Sequence, residues 1–218
     1  MPGTRRVRKN ARPPIRPLSL LILENPWTRD VADRTSVLPF MEAALADFDV
    51  VVHARPFYRL PELRVWLRNF QRTAPRRGRR ALYIAAHGHR GRLAGLPDGS
   101  GAINFAMLVR SLRAVGGVDG VFLGCCLLGN PANAVRLLQP RRRVGLCRWV
   151  AGYRHEIDWL DSTLVDVTFW RCLLEDPRRN PWAAARATYR HFPRARNLGF
   201  AVFTRAGRDG WRDSLEDA

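Results

Sequence analysis

Ala81–Gly88 reads ALYIAAHG and Val121–Asn130 reads VFLGCCLLGN. Both are apolar runs that stop abruptly. The first stops at His87-Gly88. The second stops at Gly124, two adjacent cysteines and, three residues past Cys126, Gly129. Unbroken apolar runs of this length read as strands buried on both faces, the kind that parallel sheets use. Four more such runs lie at 18–23, 49–54, 144–152 and 197–205. Helical patterns occupy 36–48, 60–72, 103–115, 131–139, 160–176 and 180–192, between and after the strands. Pro39 fits the first turn of the helix at 36–48, Pro131 fits the first position of the helix at 131–139, and Asn130 stands where a cap belongs. The order predicts an α/β chain: six strands in a mostly parallel sheet, with helices on both faces. The basic, proline-broken segment 1–16 reads as a disordered arm, and 17–218 as one domain. Residues 88–102, rich in glycine, read as an unstructured loop.

The chemistry follows from where the two runs end. In an open parallel sheet, ligands gather beyond the carboxyl ends of the strands. If the third and fourth strands are neighbours, His87 and Cys126 leave the sheet about 5 Å apart. A thiolate is a strong nucleophile, and a nearby imidazole can take its proton and hand it to a leaving amine. Gly88 has no side chain to keep a substrate carbonyl from the backbone. The Gly88 and Cys126 amides are therefore the expected oxyanion donors. The helix that begins near Asn130 adds positive potential beside the sulfur. Side chains alternate along a strand, so Cys125 shares a face with Leu123 and reads as packing, which leaves Cys126 as the nucleophile. The Gly124-Cys125 pair keeps Cys125 as the alternative.

The two motifs, in this order and on these strands, resemble the caspase-like cysteine peptidases of clan CD. GCCLLG is similar to the form found in metacaspases and bacterial CHAT proteins, where two residues and a glycine follow the catalytic cysteine. The resemblance covers roughly residues 17–205. It implies a three-layer αβα sandwich, a Cys126–His87 dyad that cleaves protein substrates, and no cofactor or metal. It also implies that the segment after the fifth strand, Tyr153, Arg154, Glu156 and Asp158, contacts substrate, together with Glu24, Asn25 and Arg29 after the first. Two departures stand out. Gly124 occupies the place where many members carry an acidic or amide residue that selects the substrate side chain. The connection 137–146 is short, where caspases have a long cleavable linker, so a single uncut chain is expected. Relatives of this type imply an activating protein partner and a role in bacterial stress or defence.

Composition sets the rivals. The chain has 218 residues and a formal net charge of +18. Lys9 is the only lysine, so the arginine excess has the look of a coding bias, with Ala, Gly and Pro also plentiful. The charge keeps an arginine-rich nucleic-acid-binding protein as one alternative, though no RRM or helix-turn-helix signature accompanies it. A catalytically inactive caspase-like scaffold is the other. The four cysteines form no disulfide framework, no secretory leader is legible and no run spans a membrane. A cytoplasmic protein is expected, with no membrane partner. His87 and His89 form an H-x-H pair, but the cysteines lack the C-x-x-C spacing of zinc sites.

Overall fold

The structure, a computed structural model, describes residues 17–28, 30, 35–75, 78–93, 101–139, 146–206 and 210–217. The expected arm at 1–16 and Arg29 lie outside these residues, as do parts of the 88–102 and 137–146 segments. Strands β1 (Leu18–Glu24), β2 (Val50–Pro56) and β3 (Arg79–Ala85) form from the first three apolar runs. Three two-residue strands follow, β4 (Gly88–His89), β5 (Arg92–Leu93) and β6 (Ile103–Asn104). The remaining strands are β7 (Gly120–Gly124), β8 (Trp149–Tyr153), β9 (Phe200–Ala206) and β10 (Gly210–Asp213). The helices are α1 (Leu38–Leu45), α2 (Leu60–Thr73), α3 (Phe105–Ala114), α4 (Pro131–Leu138), α5 (Trp159–Glu175), α6 (Pro181–His191) and the short α7 (Arg194–Asn197).

The main sheet has seven strands in the order β10-β9-β8-β7-β3-β1-β2. Its four pairings from β2 to β8 are parallel, as the sequence expects, and β9 and β10 add antiparallel pairings at one edge. The seventh strand, β10, corrects the expected six. A second correction concerns 88–102. Its first residues fold into the small sheet β4-β5-β6. The two strands β4 and β5 are joined by Arg90 and Gly91, both at positive φ, 34° and 80°, the backbone that a two-residue hairpin turn needs.

Strand alternation builds two cores. Leu21, Leu23, Leu82, Ile84, Val121 and Leu123 pack under α2, α3 and α4. Leu20, Ile22, Ala81, Tyr83, Phe122 and Ala151 face α1, α5 and α6 on the other side. The three-layer sandwich follows from period-two strands that are apolar on both faces. Pro39 and Pro131 stand in the first turns of α1 and α4, and the Asn130 side chain accepts the Asn133 N–H.

One polar group is set into the second core. Asp166 of α5 is buried and accepts hydrogen bonds from the Tyr83 and Tyr153 hydroxyls, each at 2.5 Å. Burial raises its pKa to about 7, with the two tyrosine hydrogen bonds pulling the other way. An unfolded aspartate releases its proton near pH 4. Between about pH 4 and 7 the folded state therefore holds a proton that the unfolded state has lost. Stability must fall as pH rises through that window and level off above it. Denaturant titrations across pH 4–8 are expected to show this component, at most about 1.4 kcal/mol per pH unit for one proton. Asp166→Asn is expected to remove it. Identical pH profiles for the two proteins would contradict the assignment.

Candidate active site

The site is built at the carboxyl ends of neighbouring strands. β3 and β7 pair in parallel with Ala85 opposite Gly124. The pairing runs one step further, with the Ala86 N–H donating to the Gly124 carbonyl at 3.2 Å. On the other flank, the Asn25 N–H donates to the Ala85 carbonyl at 2.9 Å and the Phe57 N–H to the Glu24 carbonyl at 2.9 Å. The ends of β1, β2, β3 and β7 thus form a level rim. His87-Gly88 and Cys125-Cys126 leave that rim side by side.

The backbones of Gly88 and Cys126 are in close approach. A Cβ at Gly88 would strike the Cys126 carbonyl oxygen and lie 2.9 Å from its amide nitrogen. Only glycine permits this contact. Gly88 faces Leu93 in the β4–β5 ladder, one step from the closing pair His89–Arg92. In a two-residue hairpin the closing pair exchanges the hydrogen bonds and the next pair does not. The Gly88 amide therefore takes no part in the β4–β5 hydrogen bonds.

The two cysteines part company as strand alternation requires. Cys125 is 1% exposed and packs with Leu123 under α4, its thiol 3.4 Å from the Ile84 carbonyl oxygen. Burial pushes its pKa well up, and the neighbouring Cys126 adds to the rise. Cys126 is half-buried, and its sulfur accepts the Ile157 N–H at 3.4 Å. After Cys126 the chain turns through Leu127 at φ 62°, and the Leu127 N–H reaches the His155 carbonyl at 3.2 Å. Gly129 lies against the Gly152–Tyr153 backbone so closely that a Cβ there would collide with it. The Gly129 N–H donates to the Tyr153 carbonyl at 2.9 Å. The cysteine turn is thus pinned over the end of β8, ahead of α4.

His87 is exposed. Its Nε2 is 2.8 Å from the Trp27 carbonyl oxygen, and the two rings meet edge to face with centroids 5.2 Å apart. A carbonyl oxygen only accepts, so Nε2 carries the proton and Nδ1 is the basic nitrogen. Among the described residues no hydrogen bond joins His87 to Cys126. Neither the Trp27 carbonyl nor the Ile157 amide was legible in the sequence, because both are backbone groups brought to the site from outside the two motifs by the fold.

The residues expected to meet substrate separate into kinds. Tyr153 is fully buried, with its hydroxyl committed to Asp166 and to the Ser162 carbonyl. Asp158 caps α5, accepting the Leu160 and Asp161 N–H groups. Arg154 pairs with Asp213 and Glu216, tying the end of β8 to the C-terminal segment. Glu24 accepts from Trp27 Nε1, Ser36 Oγ and the Val37 N–H, so it shapes the loop that carries Trp27. Asn25 is 1% exposed and donates to the Phe57 carbonyl at 2.8 Å. Glu156 is exposed beside the Ile157 turn, and Arg29 lies outside the described residues.

The sequence matches no family model and no curated protein sequence. The fold is similar to that of a secreted C11 cysteine protease from Bacteroides thetaiotaomicron, with a TM-score of 0.59 and 10% identity, covering 85% of this chain and 66% of that one. It is also similar to caspase-1 from Spodoptera frugiperda, with a TM-score of 0.53 and 14% identity, covering 95% and 94%. The chain thus spans just under two thirds of the C11 protease. At these identities the likeness is one of architecture, and the architecture is the caspase-like α/β fold. Among the described residues no helix is long and apolar enough to cross a membrane.

Thiol exposure gives a direct check on the geometry. Brief treatment of the native protein with limiting iodoacetamide is expected to label Cys126 first. Cys125, Cys147 and Cys172, all buried, should react about ten-fold more slowly or less. Preferential labelling of Cys125 would reverse the assignment of the two neighbours.

Proposed function

We propose that the protein is a cysteine endopeptidase in which Cys126 is the nucleophile and His87 the general base and acid. The observation that carries this reading is the pairing of β3 with β7, which sets His87-Gly88 against Cys126 at one sheet end. The caspase-like fold, shared with two cysteine proteases, supports it.

In the reaction, His87 Nδ1 takes the Cys126 proton and the sulfur attacks the scissile carbonyl carbon. Negative charge develops on the carbonyl oxygen, where the Gly88 and Cys126 amides donate to it. The imidazolium then protonates the leaving amine as the C–N bond breaks, forming an acyl-enzyme. Water, activated by the neutral imidazole, releases the acid and restores the thiol. The Trp27 carbonyl holds Nε2 and so keeps the ring in the tautomer that the first step needs. No cofactor takes part.

Three further elements belong to the proposal. The side chains of His87 and Cys126 are held by Trp27 and Ile157 rather than by each other, which supports a site that closes when substrate or an activating protein binds. The GCCLLG turn, with Gly129 packed on Gly152, supports a relationship to the metacaspase and CHAT type and, with it, a part in bacterial stress or defence. The free thiols of all four cysteines support a reducing, cytoplasmic setting.

The test is mass spectrometry of the products from a peptide library. Wild type is expected to cleave. Cys126→Ala should be inactive, and His87→Ala should lose about 10²–10⁴-fold in rate while remaining folded, since His87 is exposed. Cys125→Ser should retain most activity. Cleavage by Cys126→Ala would end the proposal, and a folded wild type that cleaves nothing would favour a scaffold.

A further inference from the structure

The two ends of the central sheet differ in character. The site described above lies beyond the carboxyl ends of the strands. At the opposite end, where β1, β3 and β8 begin, the described residues surround a cavity of about 860 Å³. Seven of its lining residues are arginines, and Asp119 is the single carboxylate among them.

Among the described residues that excess is only partly neutralised. Asp119 accepts the Arg80 backbone N–H at 2.8 Å and lies 3.6 Å from Arg148, and Arg212 pairs with Asp217 at 3.1 Å. Arg79, Arg80 and Arg205 meet neutral groups. The Arg80 guanidinium donates to Gln71 Oε1 at 2.5 Å, and Arg205 donates to the Leu138 carbonyl at 2.7 and 2.6 Å. Arg79 donates to the carbonyls of Arg178 and Arg179 at 3.0 and 3.3 Å.

Arg179 is the informative residue. It is 7% exposed, yet its Nε and Nη1 have no hydrogen-bond partner among the described residues. Its one contact is Nη2 to the Asp49 carbonyl at 3.4 Å. Its backbone sits at φ 48°, a region that side-chain-bearing residues avoid. Burial, and then the Arg79 charge, lower its pKa, with the Asp49 charge pulling the other way. A buried guanidinium with two open donors, held in an unfavourable backbone conformation beside a second arginine, has only Asp49 to offset it among the described residues.

We propose that this cavity binds a small anion carrying two or more phosphate groups. Guanidinium forks match phosphate oxygens in pairs. The amino end of α6, at Asn180–Trp182, also lines the cavity and adds the positive end of the helix dipole. Trp149 and Trp182 supply flat apolar walls, and the Arg212 guanidinium already lies 4.3 Å from the Trp182 ring centre. The volume lies within the range of about 300–1,000 Å³ typical of small-molecule sites. The depth of Arg179 favours a compact ligand that enters over a polymer whose phosphates run across the surface. The site is separate from the Cys126 rim, and its occupancy does not depend on the peptidase reading.

Calorimetric titration of the full-length protein with tripolyphosphate, with ATP and with a short single-stranded oligonucleotide tests this. One saturable site is expected for both small phosphates. Arg179→Gln and Arg148→Gln should each weaken it by about ten-fold or more. Arg110→Gln, on α3 and outside the cavity, should leave it unchanged. Tighter binding of ATP than of tripolyphosphate would place the natural ligand among nucleotides, and equal binding would mean that the phosphates alone are read. If Arg179→Gln fails to fold, Arg148→Gln decides alone, because its side chain is 81% exposed. Three results would overturn the proposal. They are no binding of either small phosphate, binding undiminished in the folded variants, or an oligonucleotide that binds more tightly than both, which would mark an extended nucleic-acid surface instead.

Discussion

The parallel pairing of β3 with β7 is the constraint on which the rest depends. Its register sets Ala85 opposite Gly124, and every group of the candidate site is counted from there. Two residues past Ala85 comes His87, and two past Gly124 comes Cys126. A slip of β7 by one residue would turn Cys125 outward and bury Cys126, and a slip of β3 would carry Tyr83 off the Asp166 side of the sheet. Register is protected because both faces of both strands are buried. Leu82, Ile84, Val121 and Leu123 commit to one core, and Tyr83 and Phe122 to the other.

Close backbone approach does the rest of the positioning, and glycine is what permits it. Gly124 gives up its side chain to the Tyr83 ring, which lies 2.6 Å from where a Cβ would stand. That ring delivers its hydroxyl to Asp166, so the residue two before Cys126 serves the core beneath the site. This gives a physical account of Gly124 where the motifs it resembles carry a polar residue. Gly129 meets Gly152 in the same way, and the contact fixes where the cysteine turn ends and α4 begins. The site is held from beneath by a buried tyrosine–carboxyl network and from the side by a glycine–glycine crossing.

The sequence was legible where side-chain pattern carries the structure. The six apolar runs, the helix starts at Pro39 and Pro131, the Asn130 cap and the opposite orientations of Cys125 and Cys126 follow from periodicity and capping chemistry. It was illegible where structure comes from tertiary pairing or from backbone groups. β10 is a short, largely exposed segment that becomes a strand only because Phe203–Ala206 offers it an edge. The two-residue strands β4 to β6 are too short to show a period of two. Asp166 interrupts an apolar helix stripe that reads as core, and only the two tyrosines that arrive from β3 and β8 show why a carboxyl stands there. The net charge had no address in the sequence. The structure gathers part of it at the strand-start end, in the cavity that Arg179 lines.

On the proposed reading, the β3–β7 junction presents a nucleophilic sulfur with oxyanion donors beside it. A crystal structure of the protein treated with an irreversible peptidyl ketone inhibitor tests it most directly. A covalent bond from Cys126 Sγ to the inhibitor is expected. The former carbonyl oxygen is also expected to lie within about 3.1 Å of the Gly88 and Cys126 amide nitrogens, with the His87 ring still bonded to the Trp27 carbonyl. A covalent bond to Cys125, or a Cys126 adduct whose oxygen points away from both amides, would contradict that reading.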